Sequence, residues 1–174
     1  MTKARLKDKI KKIKLLALDV DGILTDGRIV LDHEGNEVKQ FNVKDGFGLV
    51  LLRRAGLKTA IISARSAPAV TARAKDLEFD KIFQDANPKI HAYRELLKEF
   101  QLTDEQVCFM GDDLPDLEVL KSVGLAASVP NAVDEAKKES DYITRSSGGA
   151  GAVREVVELI LKTQKLWKTV ISKY

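Results

Sequence analysis

Asp19 and Asp21 stand two residues apart, directly after the apolar run Leu15-Leu16-Ala17-Leu18 and directly before Gly22. In an extended segment, residues i and i+2 project to the same side. Both carboxylates can therefore converge on one ligand just beyond a strand end. Gly22 lets the backbone turn sharply and approach that ligand closely. One acid then reads as a nucleophile or metal ligand and the other as an acid/base. A strand followed by an Asx-type turn would use the same residues without any chemistry, since Asp and Gly dominate turns. The rest of the chain decides between the two.

Three further pieces have the same character. Ser63 ends the run Ala60-Ile61-Ile62, Lys89 opens a helical stretch after Asn87-Pro88, and Gly111-Asp112-Asp113-Leu114-Pro115-Asp116 follows Val107-Cys108-Phe109-Met110. Clustered carboxylates repel one another and need a counter-charge. A hard divalent cation with oxygen ligands, such as Mg²⁺, supplies it. The Lys89 ammonium and the Ser63 hydroxyl suit the non-bridging oxygens of a phosphoryl group. A carboxylate nucleophile can form an aspartyl-phosphate, and a second carboxylate can protonate the leaving oxygen and later deprotonate a water. Each piece has a plainer reading on its own. Ser63 could cap a helix start, Lys89 could be a surface lysine, and Asp112, Asp113 and Asp116 could decorate a helix N-terminus. Their joint occurrence at successive βα junctions favours one site.

The elements that must position these residues alternate. Strands are expected near 14–18, 58–62, 81–83, 106–110, 124–128 and 141–143, and helices near 46–55, 67–76, 89–100, 114–122, 133–139 and 150–162. Alternating βα units predict an α/β three-layer sandwich with a mostly parallel, Rossmann-like sheet, whose ligands bind beyond the carboxyl ends of the strands. One segment breaks the alternation. Two β-prone runs, 28–31 and 37–41, flank the turn-rich Asp32-His33-Glu34-Gly35-Asn36. They predict a hairpin, a small flap in place of a cap domain.

The 174 residues suit a single domain, 1–174. The net charge is +3, and Lys3, Arg5, Lys7, Lys9, Lys11, Lys12 and Lys14 crowd the start, leaving the remainder close to neutral. A nucleic-acid binder needs a basic stripe on its folded body, so no nucleic-acid partner is expected. The single cysteine, Cys108, excludes an intrachain disulfide and a Cys-rich zinc site. Leu6, Ile10 and Ile13 recur at helical spacing, so the basic start reads as a short helix and lacks the apolar core of a secretory signal. No apolar stretch approaches a membrane span. The expectation is a soluble cytoplasmic protein with no membrane partner.

The ordered pattern DVDG…S…K…GDDxxD resembles the haloacid dehalogenase superfamily of phosphohydrolases. A finer resemblance, to the 3-deoxy-D-manno-octulosonate 8-phosphate phosphatase family within it, lies in three segments. They are Asp19-Val20-Asp21-Gly22-Ile23-Leu24-Thr25-Asp26-Gly27, Phe41-Asn42-Val43-Lys44-Asp45-Gly46-Phe47-Gly48 and Gly148-Gly149-Ala150-Gly151-Ala152-Val153-Arg154-Glu155. The resemblance spans about 15–162. It implies Asp19 as nucleophile and Mg²⁺ ligand, and Asp21 as acid/base lending its backbone carbonyl to the metal. It implies Asp112 as the remaining protein ligand, and Ser63 and Lys89 as holders of the phosphoryl group. Asp113 would orient a metal-bound water or Lys89, with Asp116 beside it. Asn42, Val43, Lys44, Asp45 and Gly46 would line the substrate side, with Arg65 and Arg73 near a sugar-acid carboxylate, from the same or a neighbouring subunit. Two positions depart from the pattern: Ala64 replaces a frequent glycine, and Val50 stands where an arginine is expected.

The implied activity is Mg²⁺-dependent hydrolysis of a sugar-acid phosphate in lipopolysaccharide precursor synthesis, by a homotetramer. An exposed apolar hairpin needs a cover, which neighbouring flaps would supply. The segment 163–174 carries Trp167, Val170, Ile171 and Tyr174 at helical spacing and is expected to pack on its own domain, to reach a neighbour or to fray. Two other readings compete. One is a phosphatase for a nine-carbon keto-sugar acid phosphate. The other is a receiver-like phosphoacceptor domain, which would place its lysine last rather than before a second acidic cluster.

Overall fold

Leu15, Leu16, Ala17 and Leu18 are fully buried, as required of an inner strand covered on both faces. In this computed structural model, which describes residues 2–172 and 174, they form the strand at the centre of the main sheet. The chain runs α1 (Lys3–Lys12), β1 (Leu15–Leu18), β2 (Val30–Leu31), β3 (Glu37–Val38), α2 (Val43–Arg54), β4 (Lys58–Ile62), α3 (Pro68–Asp76), β5 (Lys81–Phe83), α4 (Lys89–Phe100), β6 (Val107–Met110), α5 (Leu117–Ser122), β7 (Leu125–Ser128), α6 (Asp134–Glu139), β8 (Tyr142–Ile143), α7 (Ala152–Thr163) and α8 (Trp167–Ile171). The order β5-β4-β1-β6-β7-β8 is parallel throughout. Strand succession reverses between β1 and β6, the place where open α/β sheets leave a crevice.

Helices α1, α2, α7 and α8 share one face, while α4, α5 and α6 cover the other. Helix α7 shows why. Val153, Val156, Val157, Ile160 and Leu161 repeat at three- and four-residue spacing and are all buried. Each contributes about 1.5–3 kcal/mol by leaving water.

The six expected strands of the main sheet appear to within a residue, whereas the hairpin runs expected over 28–31 and 37–41 pair only at Val30–Leu31 and Glu37–Val38. Helix starts differ more, for local reasons. Helix α2 begins at Val43 instead of 46, because Asn42 accepts the Lys44 N–H at 2.8 Å and caps it. The stretch expected as one helix over 114–122 opens as a 3₁₀ turn, Leu114–Asp116, because Asp113 and Asp116 form a capping box around Pro115.

The hairpin pairs Val30 with Val38 and Leu31 with Glu37. Its turn is held by Asp32 Oδ1, which accepts from the N–H of Glu34 at 2.9 Å and of Asn36 at 2.8 Å. Ile29, Val30, Leu31 and Val38 lie exposed on it. The final helix packs on its own domain. Val170 is buried, the Arg154 guanidinium sits 5.4 Å from the Trp167 ring, and Tyr174 meets Phe47 edge-on at 5.3 Å. No described helix is long and apolar enough to cross a membrane.

Candidate active site

Asp19 leaves β1 with its N–H on the Met110 carbonyl at 2.9 Å, which fixes it at the carboxyl end of the β1–β6 pair, and its side chain lines the cleft there. The chain then folds back on itself, with the N–H groups of Leu24 and Thr25 on the Val20 carbonyl at 2.9 and 3.0 Å. Gly22 makes this possible twice over. Its φ is +84°, and a Cβ there would lie 2.0 Å from Asp112 Oδ2. The carboxylate of the β6 loop thus comes down directly onto the β1 turn.

Asp116 organises the second wall. It is wholly buried, and its Oδ2 accepts from the N–H of Asp112 at 3.0 Å and of Asp113 at 3.2 Å. Its Oδ1 accepts from Lys89 Nζ at 2.7 Å, and the same ammonium lies 2.6 Å from Asp19 Oδ1. Lys89, the first residue of α4, is 3% exposed and is no surface lysine. Asp116 rather than Asp113 holds Lys89. Asp113 is exposed, and its Oδ1 caps the next turn through Leu114 N–H at 2.7 Å. Ser63 is buried and does not cap a helix, since α3 starts at Pro68; its Oγ accepts the Arg65 N–H at 3.3 Å. Asp19, Asp21, Ser63, Arg65, Lys89 and Asp112 share a cleft of about 220 Å³.

The cluster is unbalanced electrically. Carboxylate oxygens of Asp19, Asp112 and Asp116 lie within 4.8 Å of one another, and with all three ionised the single Lys89 ammonium would leave two negative charges uncompensated. Burial, then the Asp116 charge, pushes the Asp19 carboxyl up to about 7 against the pull of Lys89. Burial and the charges of Asp19, Asp116 and Asp113 push Asp112 to about 7 as well. Burial works against the Lys89 charge, but Asp19 and Asp116 outweigh it and its pKa rises. Asp112 Oδ1 is buried without a hydrogen-bond partner among the described residues. An orphaned carboxylate oxygen in an over-negative cluster fits a hard divalent cation. Both Asp116 oxygens are already used, so Asp19 and Asp112 are the side chains free to hold it.

The segment 42–46 and Arg73 do not line this cleft within one chain. Asn42 Nδ2 donates to the Gly149 carbonyl at 3.1 Å. Asp45 is buried and accepts the N–H of Arg154 at 2.7 Å and of Gly151 at 3.2 Å, tying α2 to the start of α7. Arg73 lies against Gly46 and donates to Asp76 at 2.6 Å. Val43 and Lys44 are exposed on the outer side. These residue types suit a sugar acid, and the α2–α7 joint uses several of them instead.

Sequence reasoning missed Lys39 and Glu37. The Lys39 ammonium, its side chain 2% exposed, lies 2.5 Å from Asp21 Oδ1 and 2.9 Å from Glu37 Oε1. Glu37 Oε2 accepts from Arg65 at 2.9 Å. The signal was alternation: Glu37 and Lys39 flank exposed Val38, so the charged side of the 37–39 segment turns inward.

The 144–151 loop braces the β1 turn. A Cβ on Gly148 would lie 1.7 Å from the Gly22 carbonyl oxygen. Gly148→Ala should therefore cost about 1–3 kcal/mol through overpacking, read as a lower unfolding midpoint in urea. An unchanged midpoint would show that the loop yields freely and braces nothing.

A haloacid dehalogenase-like hydrolase family model matches residues 81–156. The chain is 43% identical over 152 residues, 87% of its length and 81% of the relative's, to 3-deoxy-D-manno-octulosonate 8-phosphate phosphatase of Yersinia pestis. A crystal structure of the phosphatase of that name from Moraxella catarrhalis, with magnesium ion, phosphate ion and KDO, superposes with a TM-score of 0.96 at 44% identity over 99% of both chains. The cobalt-bound enzyme of Haemophilus influenzae gives 0.87 at 35% identity, covering 90% of this chain and 92% of that one. These relatives decide against the receiver-like reading. The chain belongs to the haloacid dehalogenase-like hydrolases and, within them, to the family of 3-deoxy-D-manno-octulosonate 8-phosphate phosphatases.

Proposed function

We propose that this protein is a Mg²⁺-dependent phosphomonoesterase that hydrolyses 3-deoxy-D-manno-octulosonate 8-phosphate to the free sugar acid and phosphate, a step of lipopolysaccharide precursor synthesis. The observation that carries the proposal is the buried Asp19–Lys89–Asp116 contact beside Asp112 with its unpartnered oxygen. Asp19, Asp112 and the Asp21 backbone carbonyl would hold Mg²⁺, which when bound neutralises phosphoryl charge. Lys89 and Ser63 grip the non-bridging oxygens. An Asp19 carboxylate oxygen bonds to phosphorus as the phosphorus–sugar oxygen bond breaks, and the departing electron pair takes the proton of Asp21. Asp21, now a carboxylate, takes a proton from water as that water attacks the aspartyl-phosphate. The phosphorus–Asp19 bond breaks and phosphate leaves. Asp113 and Asp116 keep the β6 loop in place.

In this reading residues 1–174 form one domain, with 28–41 as a flap and 163–174 as a tail. It works in the cytoplasm as a homotetramer, and the exposed hairpin residues Ile29, Val30 and Leu31 support a covered flap. Arg65 meets the sugar-acid carboxylate from the cleft rim. Arg73 and the exposed Val43 and Lys44 would meet substrate from a neighbouring copy, with Asn42, Asp45 and Gly46 shaping the joint that presents them.

A second substrate, a nine-carbon keto-sugar acid phosphate, presents the same carboxylate, and one expected anchor for that carboxylate is missing. Val50 packs against the core and offers no cation where an arginine is expected. The test is released phosphate from a panel of eight- and nine-carbon keto acid phosphates, with and without Mg²⁺. The eight-carbon 8-phosphate should give the highest kcat/KM, at least tenfold above the nine-carbon compound. A higher value for the latter selects the second reading. No Mg²⁺-dependent release from any of them removes both.

A further inference from the structure

Four charged side chains join the flap to the cleft in a single line. Asp21 Oδ1 faces Lys39 Nζ at 2.5 Å, Lys39 Nζ faces Glu37 Oε1 at 2.9 Å, and Glu37 Oε2 faces Arg65 Nη2 at 2.9 Å. The Lys39 side chain is 2% exposed and lies outside the cleft lining, behind Asp21. It is therefore placed to touch Asp21 rather than a substrate. Asp21 makes no other side-chain hydrogen bond among the described residues. Its other oxygen, Oδ2, is left for a ligand in the cleft.

We infer that Lys39 is a positioning residue. It pins the Asp21 carboxyl group by Oδ1 so that Oδ2 is the oxygen that carries the proton to the ester, and Glu37 anchors Lys39 while tying Arg65 into the same line. The inference rests on the reading of Asp21 as the proton donor. Partly buried charge pairs of this kind add little stability, but a charge-assisted hydrogen bond from a buried ammonium is short and holds its acceptor oxygen in one place. Misplacing a reacting group by about 1 Å can cost on the order of 10²-fold in rate. The hairpin, otherwise exposed and joined by only two residue pairs, is fastened at the point where its lysine meets the acid.

The chemistry offers a readout that a merely structural role would not move. A sugar alkoxide is a poor leaving group and needs a proton, whereas 4-nitrophenolate leaves without one. Because kcat/KM reports events up to the first irreversible step, it isolates leaving-group departure from later hydrolysis of the aspartyl-phosphate. With the full-length protein and Mg²⁺, Lys39→Met should lower kcat/KM for 3-deoxy-D-manno-octulosonate 8-phosphate by about 30-fold. For 4-nitrophenyl phosphate the loss should stay under about threefold. In an Asp21→Asn background, Lys39→Met should add less than about twofold, because the two act as one unit. Equal losses with both substrates, or additive losses in the double variant, overturn the inference. Should Lys39→Met fail to fold, Glu37→Gln keeps the lysine but loosens its anchor. It should give the same substrate-selective loss, about three- to tenfold, and an unselective loss again overturns the inference. If the unmodified protein hydrolyses neither substrate, the failure belongs to the phosphatase reading instead.

Discussion

Asp19→Asn should end turnover, with phosphate release lower by about 10⁴-fold or more, as expected for a lost nucleophile. The fold should survive, because Asn keeps the shape of the side chain and Asp116 still holds Lys89. The variant should be at least as stable as the parent at pH 8 without metal. Asp19 is a buried carboxylate among neighbours of like charge, and its carboxyl is pushed up to about 7. Removing that charge removes a cost. Phosphate release and a thermal melt on the same preparation check both halves. A purified variant that still turns over would take Asp19 out of the reaction, and one that unfolds would show the carboxylate to be structural.

Stripping the divalent cation should abolish activity reversibly and should expose a pH-dependent stability. The sign follows from the direction of the shifts. Asp19 and Asp112 have folded-state carboxyls near 7 against 3.8 when free. Between those values the folded chain binds more protons than the unfolded one. Metal-free stability therefore falls as pH rises from about 4 to about 7, by on the order of a few kcal/mol. A cation competing with those protons binds well above pH 7 and poorly below 6. At pH 8 saturating Mg²⁺ should raise the melting midpoint by about 5–10 °C. At pH 5.5 the rise should shrink to a small fraction of that. Equal rises at both pH values, or the full rise in Asp112→Asn, would mean that the ion binds elsewhere.

The residues behind these two expectations were legible in advance, for a physical reason. Each sits at a βα junction, and a parallel sheet gathers such junctions at one rim. Asp116 was visible only as a third acid in a short motif. That it is wholly buried, bridges Lys89 and holds two backbone N–H groups depends on how the β6 loop curls over α4. Lys39 and Glu37 sat within a stretch that reads as an ordinary polar hairpin, and their pairing with Asp21 requires the flap to fold back across a gap of 18 residues. The 42–46 segment shows the opposite case. Asn42, Asp45 and Gly46 are of types that suit a sugar site, yet Asn42 and Asp45 hydrogen-bond to Gly149, Gly151 and Arg154, more than a hundred positions away.

Taken alone, the order of residues determined the sheet, the βα succession, and the set of acids, hydroxyl and lysine at its rim. Strand burial and helical spacing are local properties that a sequence displays directly. Only the tertiary structure decided which carboxylates share the Lys89 ammonium and which oxygen of Asp112 finds no partner among the described residues. It also decided that the hairpin's charged edge turns toward Asp21. Those outcomes depend on distances between segments far apart in the chain, and distance is set by packing of the whole domain rather than by any one stretch of it.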